Sequence, residues 1–226
     1  MRKLSKRKGG KWAAKVYKKL LQQHCYQDCW WPADSRFEVM VGAILTQNTA
    51  WANVEKAINN LKASNYLFAD VIADAKHESI AELIRPSGYF NVKSNRLKKF
   101  CEWYVEKGEY ARLRYWPTAK LRQELIGIYG VGHETADDIL LYAFNRPVFV
   151  IDLYTRRIFS RLGVIVGTEP YDELRVLFES QLPNKQKLFG EYHALVVQHG
   201  KHVCKPKPNC KNCCLDSICE FNDKHA

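Results

Sequence analysis

The chain has 226 residues, a length that holds one large domain or two compact lobes. Hydrophobic residues at 46% and aromatics at 12% provide for a real core, which excludes a disordered or fibrous chain. Against 35 Lys and Arg stand 24 Asp and Glu, a net charge of +11 that points to a polyanionic partner.

The N-terminus is basic (Arg2, Lys3, Lys6, Arg7, Lys8, Lys11), but no apolar stretch follows that could serve as a signal. The longest apolar runs, Val39–Leu45 and Ile139–Phe144, are too short to cross a bilayer. The expectation is a cytoplasmic protein with no membrane association, where disulfides do not persist. Cysteines therefore need another explanation, above all Cys204, Cys210, Cys213, Cys214 and Cys219, which crowd the end of the chain.

Helical spacing dominates. Ser35-Arg-Phe-Glu38 reads as a capping box, and Phe37, Val41, Ile44 and Leu45 follow along one stripe. A second helix after Asn48-Thr49 turns Val54, Ile58 and Leu61 inward. Pro86-Ser-Gly88 breaks the pattern, Lys93–Trp103 resumes it, and Pro117-Thr118 opens a helix through Leu121 and Leu125. Gly127, Gly130 and Gly132 mark a tight turn before a helix over Thr135–Phe144. Val148–Ile151 is apolar and β-branched, yet too short to demand a sheet. Asp152 opens a further helix with Ile158 and Leu162 inward and Arg156, Arg157 and Arg161 outward; helices near 171–180 and 185–199 lead into the cysteines. The fold class is all-α.

The stretch Leu125–Ala136 joins two helices through a glycine-rich turn. Such a turn presents the free N–H groups of Gly130, Gly132, His133 and Thr135 outward, where they and the helix dipole suit a phosphate oxygen. The alternative is an ordinary helix–helix turn. For Asp152 the alternative to chemistry is a plain N-cap.

Several motifs fall in an order that resembles the helix–hairpin–helix DNA glycosylases of the endonuclease III superfamily. These are Gly42-Ala-Ile-Leu-Thr-Gln-Asn-Thr49, Gly130-Val-Gly-His-Glu-Thr-Ala136, Arg146-Pro-Val-Phe-Val-Ile-Asp152 and His199-Gly-Lys-His-Val-Cys204. The front of the chain, Trp30-Trp31-Pro32 with Gln47-Asn-Thr-Ala-Trp51, is similar to the 3-methyladenine glycosylase branch. The resemblance implies a two-lobed fold with a C-terminal iron–sulfur loop. One lobe, residues 34–146, carries the hairpin; the other joins residues 1–33 to 147–226, and DNA lies along the cleft between them. It also implies base-excision repair: a damaged nucleotide is flipped from duplex DNA and its N-glycosidic bond is hydrolysed.

On this resemblance Asp152 is the catalytic carboxylate, able to stabilise positive charge at C1′ and to orient or deprotonate water. Trp51 and one of Trp30 or Trp31 would stack the extruded base, favouring cationic N-alkylated purines; otherwise they are core residues. Gln47 would fill the gap left in the duplex, or be a plain capping or surface residue. Bifunctional members carry a lysine where this chain has Glu134, which touches the base or caps its helix. A carboxylate cannot form the Schiff base that leads to strand cleavage, so a monofunctional glycosylase is expected. Cys204-x5-Cys210-x2-Cys213-x5-Cys219 nearly reproduces the family's [4Fe–4S] loop, one residue short in its first spacing. Cys214 is an alternative ligand or a bystander, and zinc is the competing metal. Lys205, Lys207, Lys211, Arg156 and Arg157 would contact phosphates. Alternative activities are excision of mismatched, deaminated or oxidised pyrimidines, endonuclease III-like action at AP sites, and non-catalytic DNA binding. A monomer is expected, nucleoid-associated if the source is prokaryotic.

Overall fold

The computed structural model describes residues 12–28 and 30–221; the basic stretch of residues 2–11 and Cys29 lie outside them. All regular structure among the described residues is helical. The α-helices are α1 (Trp12–His24), α2 (Arg36–Leu45), α3 (Trp51–Ala63), α4 (Ala69–Asp74), α5 (His77–Leu83), α6 (Phe90–Glu106), α7 (Glu109–Leu113), α8 (Thr118–Ile126), α9 (His133–Asp138), α10 (Leu153–Arg161), α11 (Tyr171–Ser180) and α12 (Gln186–His202). The chain divides into two compact units: a central unit, Trp31–Arg146, and a terminal unit made of the described parts of Met1–Trp30 and Pro147–Ala226.

In the central unit α2 is buried on every side, with Met40, Val41, Ile44 and Leu45 inaccessible to solvent. Ser35 caps it by accepting a bond from Glu38 N. The Glu38 side chain closes the box one residue early, accepting from Asp34 N at 2.9 Å instead of from Ser35 N. Helices α3 and α6 pack against α2, and α4 and α5 against α6. The expected helix over 135–144 has two parts: α9 gives way to a π-helical turn, Ile139–Ala143, closed by Phe144 N to Ile139 O at 3.2 Å. Such turns widen the helix by one residue and redirect the side chains they carry.

The core of the terminal unit is aromatic. Phe149, Phe159 and Phe178 pack with Trp12, Phe189 and Tyr192 through stacked and edge-on rings 4.7–5.7 Å apart. Such pairs contribute roughly 0.5–1.5 kcal/mol each beyond burial. The run Val148–Ile151 forms no strand or helix. Side chains satisfy its amides instead: Phe149 N donates to Glu179 Oε1 at 3.0 Å and Ile151 N to Tyr171 OH at 3.2 Å. This buried segment leads into Asp152 at the start of α10. Helix α12 approaches α10 closely because Gly200 has no side chain; a Cβ there would lie 2.3 Å from the Tyr154 ring.

Candidate active site

The hairpin between α8 and α9 turns through Gly130, whose φ of +82° is the left-handed region that favours glycine. A Cβ there would also lie 2.2 Å from Arg96 Cγ. Gly132 caps α9 with no side chain and leaves the first turn open, with His133 and Glu134 exposed. Glu134 is the second residue of α9, where a carboxylate favours the helix dipole. Thr135 faces inward and joins Gln47.

The Gln47 amide is spent on that hairpin. Nε2 donates to Gly130 O and to Thr135 Oγ1, both at 2.9 Å, and Oε1 accepts from Arg96 Nη1. The loop holding Gln47 is pinned from beneath by Lys93, a residue without a periodic signal. Its buried ammonium donates to Leu45 O at 2.8 Å and to Thr49 Oγ1 and Ser87 O at 2.7 Å. Tyr89, in a left-handed conformation ahead of α6, is exposed, as is Tyr129 on the hairpin.

The tryptophans separate. Trp31 joins the central unit, edge-on to Trp51 at 5.5 Å and tilted on Tyr142 at 5.0 Å. Tyr142 comes from the π turn and completes an aromatic wall that helical periodicity does not show. Trp30 belongs to the terminal unit, where the Lys201 ammonium lies 5.6 Å from its ring centroid. Beside Trp51 opens a cavity of about 160 Å³ edged by Glu38, Glu55 and Lys62.

Asp152 is 7% exposed. It caps α10, Oδ1 accepting from Thr155 N at 2.6 Å, so the capping reading holds as geometry. Its second oxygen, Oδ2, lies 3.6 Å from His193 Nε2 on α12. Burial pushes the carboxyl up, but His193 and the Thr155 amide outweigh it and hold the group below the ordinary value. The result is a buried carboxylate, ionised at neutral pH, with one oxygen loosely held.

The arginines of α10 turn back rather than outward. Arg156 donates to Gly167 O and Glu169 O, and Arg157 to Gly200 O and Cys204 O. Arg161 reaches Cys204 Sγ at 3.2 Å as well as Lys205 O and Pro206 O. Arg157 and Arg161 thus organise the approach to the cysteine loop and Arg156 the turn at 167–169, uses that compete with phosphate contact. Cys204, Cys210, Cys213 and Cys219 are electrostatic neighbours. As thiols they end in protein contacts: Cys213 Sγ lies 3.4 Å from His199 Nε2, and Cys219 Sγ 3.5 Å from Arg161 O. No three Cys, His, Asp or Glu side chains among the described residues are gathered tightly enough to hold a metal ion. The donor set itself, four neighbouring thiols with a guanidinium on one sulfur, fits a thiolate-ligated group. The Cys214 backbone faces α1, its N–H donating to Gln23 Oε1 and its carbonyl accepting from Lys19 Nζ.

Residues 41–184 match the model of the HhH-GPD superfamily of base excision DNA repair proteins, and the chain belongs to that superfamily. A Methanocaldococcus jannaschii protein, "Putative DNA repair glycosylase MJ1434", is 49% identical over 91% of this chain and 94% of its own. Endonuclease III of Thermotoga maritima is 32% identical over 82% and 83% of the two chains. Among solved structures, the H. pylori 3-methyladenine DNA glycosylase MagIII bound to 1,N6-ethenoadenine superimposes with a TM-score of 0.72 at 28% identity, covering 84% of this chain and 97% of that one. A non-covalent endonuclease III–DNA complex shares the fold at a TM-score of 0.81 and 22% identity, covering 94% and 95%. The protein is thus a base-excision-repair DNA glycosylase of the HhH-GPD superfamily, its regular structure among the described residues all helical, as the sequence implies. No helix among the described residues is long and apolar enough to cross a membrane.

Proposed function

We propose that the chain is a monofunctional glycosylase that releases N-alkylated purines of the 3-methyladenine kind from double-stranded DNA. The observation that carries this reading is the Asp152 carboxylate, kept ionised although buried. Such a group can stabilise the positive charge that develops on C1′ as the glycosidic bond breaks, and can take a proton from the attacking water. Its setting, out of bulk water, strengthens that stabilisation.

The lesion class rests on the aromatic wall of Trp31, Trp51 and Tyr142, whose electron-rich faces attract a cationic base. An alkylated purine already leaves readily, so a protein acid is less needed. The likeness to MagIII supports the same class. Trp30, with a cation over its ring, fits this role less well. Glu134 supplies no amine, which supports hydrolysis without a lyase step. The turn from Gly130 to Thr135 would receive a phosphate, with Gln47 and Tyr129 beside it, and the exposed Tyr89 would offer a further ring to DNA. The likeness to endonuclease III of T. maritima favours a second reading, excision of damaged pyrimidines.

Cys204, Cys210, Cys213 and Cys219 would hold a [4Fe–4S] cluster, as the endonuclease III likeness implies. The cluster would lend rigidity to the loop, and hydrolysis needs no electron from it. A cytoplasmic, nucleoid-associated monomer fits the reading. Base release from duplexes holding alkylated purines, uracil, thymine mismatches and oxidised pyrimidines separates the two lesion classes. Asp152→Asn should reduce release by at least about a thousandfold while duplex binding survives; a wild-type rate would end the reading. Iron and sulfide near four each per chain would support the cluster, and stoichiometric zinc would replace it.

A further inference from the structure

Helix α12 crosses α10 where Gly200 admits the Tyr154 ring, and this close approach brings a second ionisable side chain to Asp152. His193 is 6% exposed, and its Nε2 lies 3.6 Å from Asp152 Oδ2. The distance is within ion-pair range and longer than an ordinary hydrogen bond, so the imidazole acts as an oriented N–H dipole or a charge. Neighbouring polar groups on the elements around the pair have bonding partners of their own. On α10, Arg156 and Arg157 bond main-chain carbonyls. On α12, Glu191 accepts from Gln27 N and Tyr192 OH donates to Ala13 O, with Tyr17 of α1 against the Tyr192 ring. Thr155 N donates to Oδ1, and the Thr155 side chain also favours the carboxylate.

We infer that His193 is a positioning residue for Asp152, fixing the direction of Oδ2 and keeping the carboxylate ionised; the inference rests on the proposed hydrolytic role of Asp152. A buried carboxylate without an opposing donor is driven towards its protonated form. Protonated Asp152 can neither stabilise a sugar cation nor accept a proton from water. Either charge state of the imidazole can present Nε2–H to Oδ2, so the support does not depend on a charged histidine.

The experiment is a pH series of single-turnover base release on methylated duplex, read beside a ¹³C carboxyl titration of Asp152. With His193→Phe the acidic limb should move to higher pH, the Asp152 titration should rise with it, and release at neutral pH should fall about tenfold. His193→Gln, which keeps an N–H donor, should return both readouts towards wild type. An acidic limb and a titration unmoved by His193→Phe would overturn the inference. Should that variant not fold, ¹⁵N resonances of the unaltered protein decide the matter: His193 Nε2 must report the Asp152 titration and lose that inflection in Asp152→Asn, and its absence overturns the pairing. Wild-type release by Asp152→Asn would instead remove the hydrolytic reading, an outcome distinct from either.

Discussion

The indole of Trp31 rests on the bare α-carbon of Gly42: a methyl group placed there would meet Trp31 Nε1 at 3.2 Å. Gly42 sits inside α2, where glycine is a poor helix former, so the missing side chain is what admits the ring. Gly42→Ala should gain about 0.5–1 kcal/mol of helix propensity and lose a similar amount as the ring gives way. Denaturant unfolding should therefore change by less than about 1 kcal/mol. Binding to a duplex with an extruded purine analogue should weaken roughly fivefold, because the displaced face is the one on which the base is proposed to stack. Gly42→Val should cost about 1–3 kcal/mol. Unchanged binding in both variants would place Trp31 in the core alone.

Lys93 gives a second test, of the loop that presents Gln47. Its ammonium serves three acceptors in a buried site, and burial pushes its pKa down to about 8 from 10.5. Between those values the unfolded chain keeps a proton that the native chain has released. The native state then binds fewer protons, so this group's contribution to stability rises with pH from about 8 towards 10.5. Lys93→Met should remove that rise in a urea-unfolding series. It should also cost about 2–4 kcal/mol at neutral pH, since Leu45 O and Ser87 O lose their donor.

The long amphipathic helices and the glycine turn were legible because each rests on a local pattern. Capping at Ser35 and Asp152, the break at Gly88 and the hairpin at Gly130 all arise from neighbours in sequence. The π turn at Ile139–Ala143 was not legible, because its apolar residues satisfy α- and π-helical spacing alike; the position of Tyr142 went unseen with it. Arg156, Arg157 and Arg161 sit where a helical wheel points to solvent. Their guanidiniums fold back onto carbonyls that only the tertiary structure brings near. His193 lies in an apolar run that reads as plain core, and the carboxylate it faces stands on a different helix. The resemblance supplied Asp152 and the cysteines, while the geometry supplied what holds them.

Gln47 ties its loop to the hairpin through two side-chain bonds, to Gly130 O and Thr135 Oγ1, and to Arg96 of α6 through a third. Filling a gap in DNA would require its amide to leave Gly130 and Thr135, so the two roles compete. Gln47→Ala should destabilise the free protein by about 1–2 kcal/mol and speed hydrogen exchange at residues 130–135. Affinity for a duplex with an abasic-site analogue should fall roughly tenfold, with little change for undamaged duplex. An equal loss on both duplexes would assign Gln47 to holding the hairpin and not to the lesion.

Glu134 bears on whether the strand is cut. An amine at the first turn of α9 could condense with C1′, and borohydride would then fix the adduct; a carboxylate has no nitrogen to give. With methylated duplex and borohydride the wild-type protein should form no covalent complex. Base release should exceed strand breaks at neutral pH by more than about tenfold, the breaks appearing only after alkali treatment. Glu134→Gln should retain release within a few-fold, because the amide keeps the size and polarity of the side chain while the favourable dipole contact given up is about 0.3–1 kcal/mol. A trapped adduct with the wild-type chain would mean that another amine reaches C1′, and the protein would then be a lyase as well as a hydrolase.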